Sequence, residues 1–308
     1  MRFLAALLAC SLCTGWQSPQ PSRKRTVRRA SDAAWQDFWE DLAARPEIRD
    51  AWRQKPCVLK GIAPADALTL DALTQAVDAD PSTLDDAARV AHGATQGWTN
   101  VALDAAARPS RRLRASSSEA SVLLNHGGVA FPALLGGACR AALDAFEQPV
   151  GLNVYLTGED VAKAAPAHTD RQEVFVVQCG GAKRWRVFAP PHPPLEPDAD
   201  PFARGKGTDV LDERYLPCML DVVLDARDVL YVPAGFPHAT ATANTSSLHL
   251  TFGLAPTSNF GLALDSLRIA ARGTTNCAVA GHARYGGSGD VAFANGARKE
   301  RSHQCSGR

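Results

Sequence analysis

Two stretches decide the fold of this 308-residue chain: residues 168–177 read HTDRQEVFVV, and residues 228–238 read DVLYVPAGFPH. Each contains a short apolar run, VFVV or VLYV, of the kind that forms a buried strand. His168 and Asp170 lie just before the first run, and residues two apart on a strand share a face. His238 follows the second run after a Pro/Gly turn. The pattern therefore predicts neighbouring strands that bring His168, Asp170 and His238 together.

These three side chains form a candidate metal site. Two neutral imidazoles and one carboxylate on one side of a metal leave the opposite positions open, which is the ligand set of non-haem Fe(II) oxygenases. A His-x-Asp triplet alone is a weak signal in a chain with eight histidines, but only His168 is followed by a carboxylate two residues later. His192, in a Pro-rich loop, is interpreted as solvated, and His249, inside an apolar strand, as a core histidine.

A lysine marks the opposite side of the predicted site. Residues 180–188 read GGAKRWRVF, which predicts a turn followed by a strand with Lys183, Trp185 and Val187 on one face. If Trp185 and Val187 face the interior, Lys183 does too. An ammonium buried beside a cationic metal is repelled and desolvated unless an anion lies between them. The natural anion is a dicarboxylate that chelates the metal at one end and pairs with Lys183 at the other.

Five segments resemble, in order and approximate spacing, the JmjC oxygenases and, within them, the ribosomal oxygenase group of 2-oxoglutarate-dependent protein hydroxylases. The segments are residues 153–157 (NVYLT), 168–170 (HTD), 183–188 (KRWRVF), 230–238 (LYVPAGFPH) and 247–251 (SLHLT). The resemblance covers about residues 56–264 and is strongest after Phe131.

The resemblance implies a mainly β fold, a double-stranded β-helix of the jelly-roll or cupin type with N-terminal helices packed around it. Strands in series without intervening helices favour the same architecture. The implied catalytic metal ligands, for Fe(II), are His168, Asp170 and His238. Lys183 would bind the distal carboxylate of 2-oxoglutarate, helped by Asn153 and Tyr155, and O2 would be the other cosubstrate.

The implied activity is hydroxylation of a protein side chain, with a His or Arg of a ribosomal protein as the expected target. Two alternatives stay open: the same chemistry on tRNA, methyl-lysine or a small molecule, and a metal-binding cupin without oxygenase activity. Lys183 argues against the bare cupin, which has no reason to aim an ammonium into its pocket. The group's larger members carry a helical dimerisation region, so the resemblance leaves a homodimer open.

The chain departs from the group at two places beside the site. Residues 164–167 read AAPA where a Gly and an aromatic commonly precede the metal His, and Arg227 stands where a Gly usually precedes Asp228. Neither change touches a ligand. Both therefore concern the substrate and the loop geometry rather than metal binding.

Composition indicates which kinds of partner and which cell compartment to expect. The chain has 45% hydrophobic residues, enough for one sizeable core, and a net charge of +1, so no global field recruits nucleic acid or an anionic membrane. We expect no direct nucleic-acid binding. Eight scattered cysteines indicate reduced thiols in a non-secretory compartment.

Residues 1–31 are expected to be a leader outside the fold. An apolar run too short to span a bilayer, residues 3–13, is followed by a basic segment with no acidic residue before Asp32. This composition resembles the two-part leaders that direct proteins into the plastids of algae with secondary plastids, and secretion is the alternative. No membrane association is expected of the mature protein.

Four regions are predicted: the leader at 1–31, a helical region at 32–130, the β-helix core with a C-terminal helix at 131–271, and a disordered tail at 272–308. The local predictions are helices at 63–79, 81–91, 132–147 and 260–271, a loop at 108–118, and a lid or substrate loop at 190–209.

Overall fold

The computed structural model describes residues 30–255 except 86, 91–97, 101–107, 160, 162–163, 191–199, 201 and 207–208. The described helices are α1 (Ala30–Ala44), α2 (Pro46–Ala51), α3 (Leu70–Ala79), α4 (Pro109–Glu119), α5 (Gly127–Ala130) and α6 (Pro132–Phe146). The described strands are β1 (Cys57–Leu59), β2 (Ala87–Val90), β3 (Trp98–Asn100), β4 (Ser121–Leu124), β5 (Val150–Thr157), β6 (Ala165–His168), β7 (Glu173–Phe188), β8 (Cys218–Asp225), β9 (Val229–Val232) and β10 (His238–Leu254).

The two long strands, β7 and β10, organise the sheet. They pair antiparallel along most of their lengths, with register shifts near the middle of each. The first half of β7 pairs with β9 and its second half with β8. The first half of β10 pairs with β6 and its second half with β5. Each long strand thus contributes to two faces, which confirms the predicted double-stranded β-helix.

The bend in β7 lies at a glycine. Gly181 has φ +61°, and a Cβ there would lie 1.7 Å from the carbonyl oxygen of Ser246 on β10. Only glycine allows this left-handed conformation together with so close a backbone approach. The predicted turn at 180–181 is therefore wrong as a strand boundary, because the strand continues through it.

The irregularity changes which residues of β7 face the interior. Val174 and Val176, before the bend, pack in one buried cluster with Trp185 and Val187, after the bend. The inward-facing residues of β7 are therefore even-numbered before the bend and odd-numbered after it. Lys183 shares parity with Trp185 and is 1% exposed, so the ammonium is carried inside the barrel as the alternation predicted.

Helices α1 and α6 cover the outer face of the sheet. Trp39 of α1 is fully buried, with its ring centroid 4.8 Å from Phe252 and 5.6 Å from Phe175. Phe146 of α6 contacts the rings of Trp39 and Phe175. Burying side chains of this size contributes about 1.5–3 kcal/mol each. This layer of helices packs on the outer face of the sheet and stabilises the strands that carry His168 and His238.

Two local predictions in the N-terminal region are wrong. In place of the helix predicted at 81–91, Pro81–Leu84 form a single 3-10 turn and Ala87–Val90 form strand β2, which pairs with β3 and β4. The loop predicted at 108–118 is instead helix α4, Pro109–Glu119, because Pro109 fits the first helical position and Leu113 is buried. Ser110 also anchors this helix to Asp78 of α3 through backbone and side-chain hydrogen bonds.

Other boundaries differ less. Helix α3 begins at Leu70 rather than 63, where the hydroxyl of Thr69 accepts from the backbone N–H of Ala72. Helix α6 is confirmed. Strands β1 to β4 show that the region 32–130 also extends the sheet. The leader up to residue 29, the helix at 260–271 and the tail lie outside the described residues, so those assignments and the domain boundaries stay predictions. Along the described part of the chain, no helix is both long and apolar enough to cross a bilayer.

Candidate metal and cosubstrate site

The three predicted metal ligands lie together where β6 ends and β10 begins. His168 is the last residue of β6, and its pairing partner is His238, the first residue of β10. Nε2 of His168 lies 3.8 Å from Oδ2 of Asp170, and Nε2 of His238 lies 3.5 Å from the same oxygen. The three candidate ligand atoms are all within 4.8 Å of one another. Adjacent strands thus assemble two imidazoles and one carboxylate around one point.

Backbone carbonyls set the tautomer of both histidines. Nδ1 of His168 is 2.8 Å from the carbonyl oxygen of Pro166, and Nδ1 of His238 is 3.0 Å from that of Phe236. A carbonyl only accepts, so each Nδ1 carries the proton and each Nε2 presents a lone pair. Burial, with His238 nearby, lowers the pKa of His168 to about 4. Burial also lowers the pKa of His238, so both rings are neutral ligands at physiological pH.

Asp170 has a second partner that the sequence did not indicate. Lys206 Nζ donates to Oδ1 of Asp170 at 2.7 Å. Burial alone would raise the pKa of Asp170, but the charge and hydrogen bond of the Lys206 ammonium counter it, and the pKa is held well below its usual range. The carboxylate is therefore ionised, with Oδ1 bound by Lys206 and Oδ2 directed at the histidines.

Lys183 lies on the inner wall of the same cavity. Its Nζ donates to Oγ1 of Thr157 at 2.9 Å, and that hydroxyl is 2.7 Å from Oγ of Ser121. No carboxylate of the described residues pairs with it, and burial lowers the pKa of Lys183 to about 7. Among the described residues, this buried ammonium is bonded by a neutral hydroxyl alone, so an anionic partner would compensate its charge.

The cavity between the triad and Lys183 is lined by polar atoms without partners. Within the described part of the chain, four of its lining side chains have a buried polar atom with no hydrogen-bond partner. They are Nε1 of Trp185, Oγ1 of Thr240, Nδ1 of His249 and Oγ1 of Thr251. Buried polar atoms are nearly always satisfied, so a cluster of exceptions indicates a site for a polar ligand.

The donor set and the ammonium of Lys183 fit a divalent transition metal and a dicarboxylate. The enclosed space is small, about 20 Å³, which is room for about one water molecule. A diacid therefore needs the lining side chains to move as it binds. A larger groove of about 440 Å³ lies between α6 and β5, but its lining includes no residue of the triad.

Of the two other residues predicted to bind the cosubstrate, one lines the cavity and one does not. Tyr155 lines the cavity, with its ring stacked on His249 at 4.7 Å and Lys183 Nζ 6.0 Å from its centre. Asn153 is adjacent rather than lining: its Oδ1 accepts from the backbone N–H of His126 at 3.3 Å, and its side chain bonds Tyr155. Asn153 therefore contacts Tyr155 and does not itself line the cavity.

The interpretation of His249 as a plain core histidine was incomplete. The side chain is 1% exposed, as expected of the core, but it lines the cavity. The register shifts in β10 turn an inward face that includes His238 and Thr240 into one that includes His249 and Thr251. The signal available in the sequence was a polar pair, His249 and Thr251, two residues apart within an apolar strand.

The two departures from the ribosomal oxygenase pattern have structural explanations. Ala164, Ala165 and Ala167 are buried beside the triad, so small side chains fill the approach to His168. Arg227 adopts φ +75°, the left-handed region that favours glycine. Its guanidinium Nε donates to the carbonyl oxygen of Ala63 at 2.9 Å, which offsets part of the cost of that conformation.

Comparison with known proteins finds similarity over part of the chain. The sequence model of the JmjC domain matches residues 138–261. Two relatives named bifunctional lysine-specific demethylase and histidyl-hydroxylase NO66 are similar over part of this chain. The protein from Drosophila mojavensis is 38% identical over 117 residues, which are 38% of this chain and 12% of the relative. The protein from Drosophila grimshawi is 34% identical over 134 residues, 43% of this chain and 18% of the relative. The chain thus spans less than a fifth of these relatives.

Solved structures show the same fold. The X-ray structure of ycfD from E. coli has a TM-score of 0.53 and 16% identity, and the match covers 74% of this chain and 57% of that one. A crystal structure of Escherichia coli ribosomal oxygenase YcfD has a TM-score of 0.51 and 18% identity, over 74% of this chain and 56% of that one.

Proposed function

We propose that this protein is an Fe(II)- and 2-oxoglutarate-dependent oxygenase that hydroxylates a protein side chain, in keeping with the match of residues 138–261 to the model of the JmjC domain. One observation carries the proposal. A His-Asp-His triad and a buried ammonium without a carboxylate partner among the described residues face one cavity. A structural metal site explains the triad but leaves Lys183 unexplained, because burying an uncompensated charge is costly.

The chain's own groups have distinct tasks in this reaction. Nε2 of His168, Nε2 of His238 and Oδ2 of Asp170 would hold the metal on one side, because their other polar atoms are already bonded elsewhere. Lys183 would pair with the distal carboxylate of 2-oxoglutarate, with Tyr155 beside it. When bound, Fe(II), 2-oxoglutarate and O2 supply the oxidising power that inserts oxygen into an unactivated C–H bond and leaves succinate and CO2.

The barrel supplies dryness and fixed geometry. His168 and His238 lie on paired strands, and the backbone carbonyl of Asp170, between β6 and β7, accepts from the N–H of Gly235, so backbone hydrogen bonds set the relative positions of the three ligands. Apolar walls from Val174 and Trp185 border the cavity. A site that excludes water protects a reactive centre from side reactions and strengthens the pairing of Lys183 with an anion.

For the substrate we propose a His or Arg side chain of a ribosomal protein. The support is indirect: two similar proteins are named for histidyl hydroxylation, and a structural neighbour is named a ribosomal oxygenase. The NO66 name also includes lysine demethylation, which makes methyl-lysine the second candidate for the same chemistry.

Mass spectrometry of ribosomal proteins tests this substrate. Cells with the intact protein are compared with cells that carry Asp170→Ala, in cytosolic and organellar ribosomes separately. We expect one ribosomal-protein His or Arg that carries one added oxygen only with the intact protein. If the purified protein forms succinate but no ribosomal residue gains oxygen, the substrate is wrong while the chemistry stands.

A further inference from the structure

The ammonium of Lys206 is built into the metal site by its own backbone. The segment 202–206 lies against the residues that follow β6, where Thr169 N–H donates to the carbonyl oxygen of Arg204 at 3.1 Å, and Arg204 N–H donates to Oγ1 of Thr169 at 2.8 Å. These reciprocal bonds hold the segment 202–206 against Thr169, the residue that precedes Asp170.

A glycine brings the segment close enough for Lys206 to reach. Gly205 has φ +74°, and a Cβ there would lie 2.2 Å from the carbonyl oxygen of Ala167 and 2.8 Å from Cα of His168. Asp209 closes the turn by accepting from Gly205 N–H at 2.7 Å and from the guanidinium of Arg204. The position of Lys206 is therefore set by the fold and is not that of a freely moving surface lysine.

Charge balance decides what this lysine does. Without a metal, the buried carboxylate of Asp170 and the ammonium of Lys206 neutralise each other at 2.7 Å. The site of the proposed function also receives a divalent cation beside the same carboxylate. Two like charges on one carboxylate in a poorly screened site repel strongly, and we expect this repulsion to outweigh the about 10- to 100-fold in metal affinity that a hydrogen-bonded partner of a ligand typically contributes.

We infer that Lys206 is a tethered counter-cation that competes with the metal for Asp170 and thereby sets the metal affinity of the site. Its side chain is 20% exposed, so it can turn toward solvent when a metal arrives while the backbone of 202–206 stays in place. The inference rests on the proposed function, since it requires that the triad bind a metal.

The test is a Mn(II) titration of the full-length, metal-free protein by calorimetry, with the thermal unfolding midpoint measured with and without Mn(II). Lys206→Met should lower the dissociation constant for Mn(II) at least tenfold. It should also lower the midpoint of the metal-free protein, because Asp170 loses its counter-ion, and enlarge the rise in midpoint that Mn(II) produces. Lys206→Arg, which keeps the charge, should restore the dissociation constant to within about threefold of the parent value.

Lys60→Met is the matched control. Lys60 also makes a 2.7 Å pair with a carboxylate, that of the buried Asp228, which is not one of the three candidate ligands, although Lys60 is more exposed than Lys206. Its loss should lower the unfolding midpoint but leave the Mn(II) dissociation constant unchanged. An unchanged or weaker Mn(II) affinity in Lys206→Met would overturn the inference and leave the proposed function intact. Absence of Mn(II), Co(II) and Fe(II) binding by the parent protein would overturn both.

Discussion

Replacing Lys183 by Met should stabilise the protein and abolish cosubstrate binding at the same time. Burial lowers the pKa of Lys183 from 10.5 to about 7. At 1.36 kcal/mol per pKa unit, holding this ammonium in the folded protein costs about 4–5 kcal/mol near neutral pH. The hydrogen bond to Thr157 returns about 1 kcal/mol. Lys183→Met removes both, so the free energy of unfolding should rise by about 3 kcal/mol.

The same change removes the partner of the cosubstrate. Leaving a buried carboxylate without its counter-ion costs about 3–5 kcal/mol, so the dissociation constant for 2-oxoglutarate should rise at least a hundredfold. Calorimetric titration of the Mn(II)-loaded protein measures this. Urea unfolding measures the stability, with Lys60→Met as a control for loss of an ammonium outside the site.

The pH dependence of stability separates this explanation from simple repacking. Between pH 7 and 10.5 the unfolded chain holds the Lys183 proton that the folded protein has released. Stability therefore rises with pH across this window. The difference in unfolding free energy between Lys183→Met and the parent should shrink as pH rises. A variant that is less stable than the parent and still binds 2-oxoglutarate would refute the reasoning, because Lys183 would then be a structural residue.

Three further outcomes follow from the same geometry. Asp170→Ala should weaken Mn(II) binding at least a hundredfold while the far-ultraviolet circular dichroism is unchanged, and retained affinity would contradict the ligand assignment. Affinity of the parent protein for 2-oxoglutarate should fall by up to tenfold per pH unit as pH rises above 7, because binding needs the charged form of Lys183; a flat titration series between pH 6 and 9 would speak against this role. Gly205→Ala should lower the free energy of unfolding by about 1–3 kcal/mol, since φ is +74° and the added Cβ meets the carbonyl oxygen of Ala167. Urea unfolding measures this change. An unchanged midpoint would show that the segment 202–206 is not held against β6.

The parts of the site that the sequence predicted lie on regular strands or directly after them. Spacing of two residues placed His168 and Asp170 together, and alternation with Trp185 placed Lys183 inside the barrel. Both inferences use only residues on the same side of a bend. The buried runs around Phe175 and Tyr231 marked the strands themselves.

The parts that the sequence did not predict depend on irregular backbone. The register shifts in β10 change the parity of its inward face, so alternation counted from His238 gives no assignment for His249. Lys206 reaches Asp170 through the pairing of Arg204 with Thr169, and no periodicity links positions 36 residues apart. Helix α4 was missed because a single apolar residue, Leu113, anchors it, which leaves almost no amphipathic pattern to detect.

The most direct test of the central claim is succinate formation from 2-oxoglutarate by the purified full-length chain, with Fe(II), O2 and a pool of ribosomal proteins. The parent protein should form succinate only when iron is added, and His168→Ala and Lys183→Met should form none above the protein-free background. Succinate formed equally by parent and His168→Ala, or no iron-dependent succinate from the parent, would contradict the account.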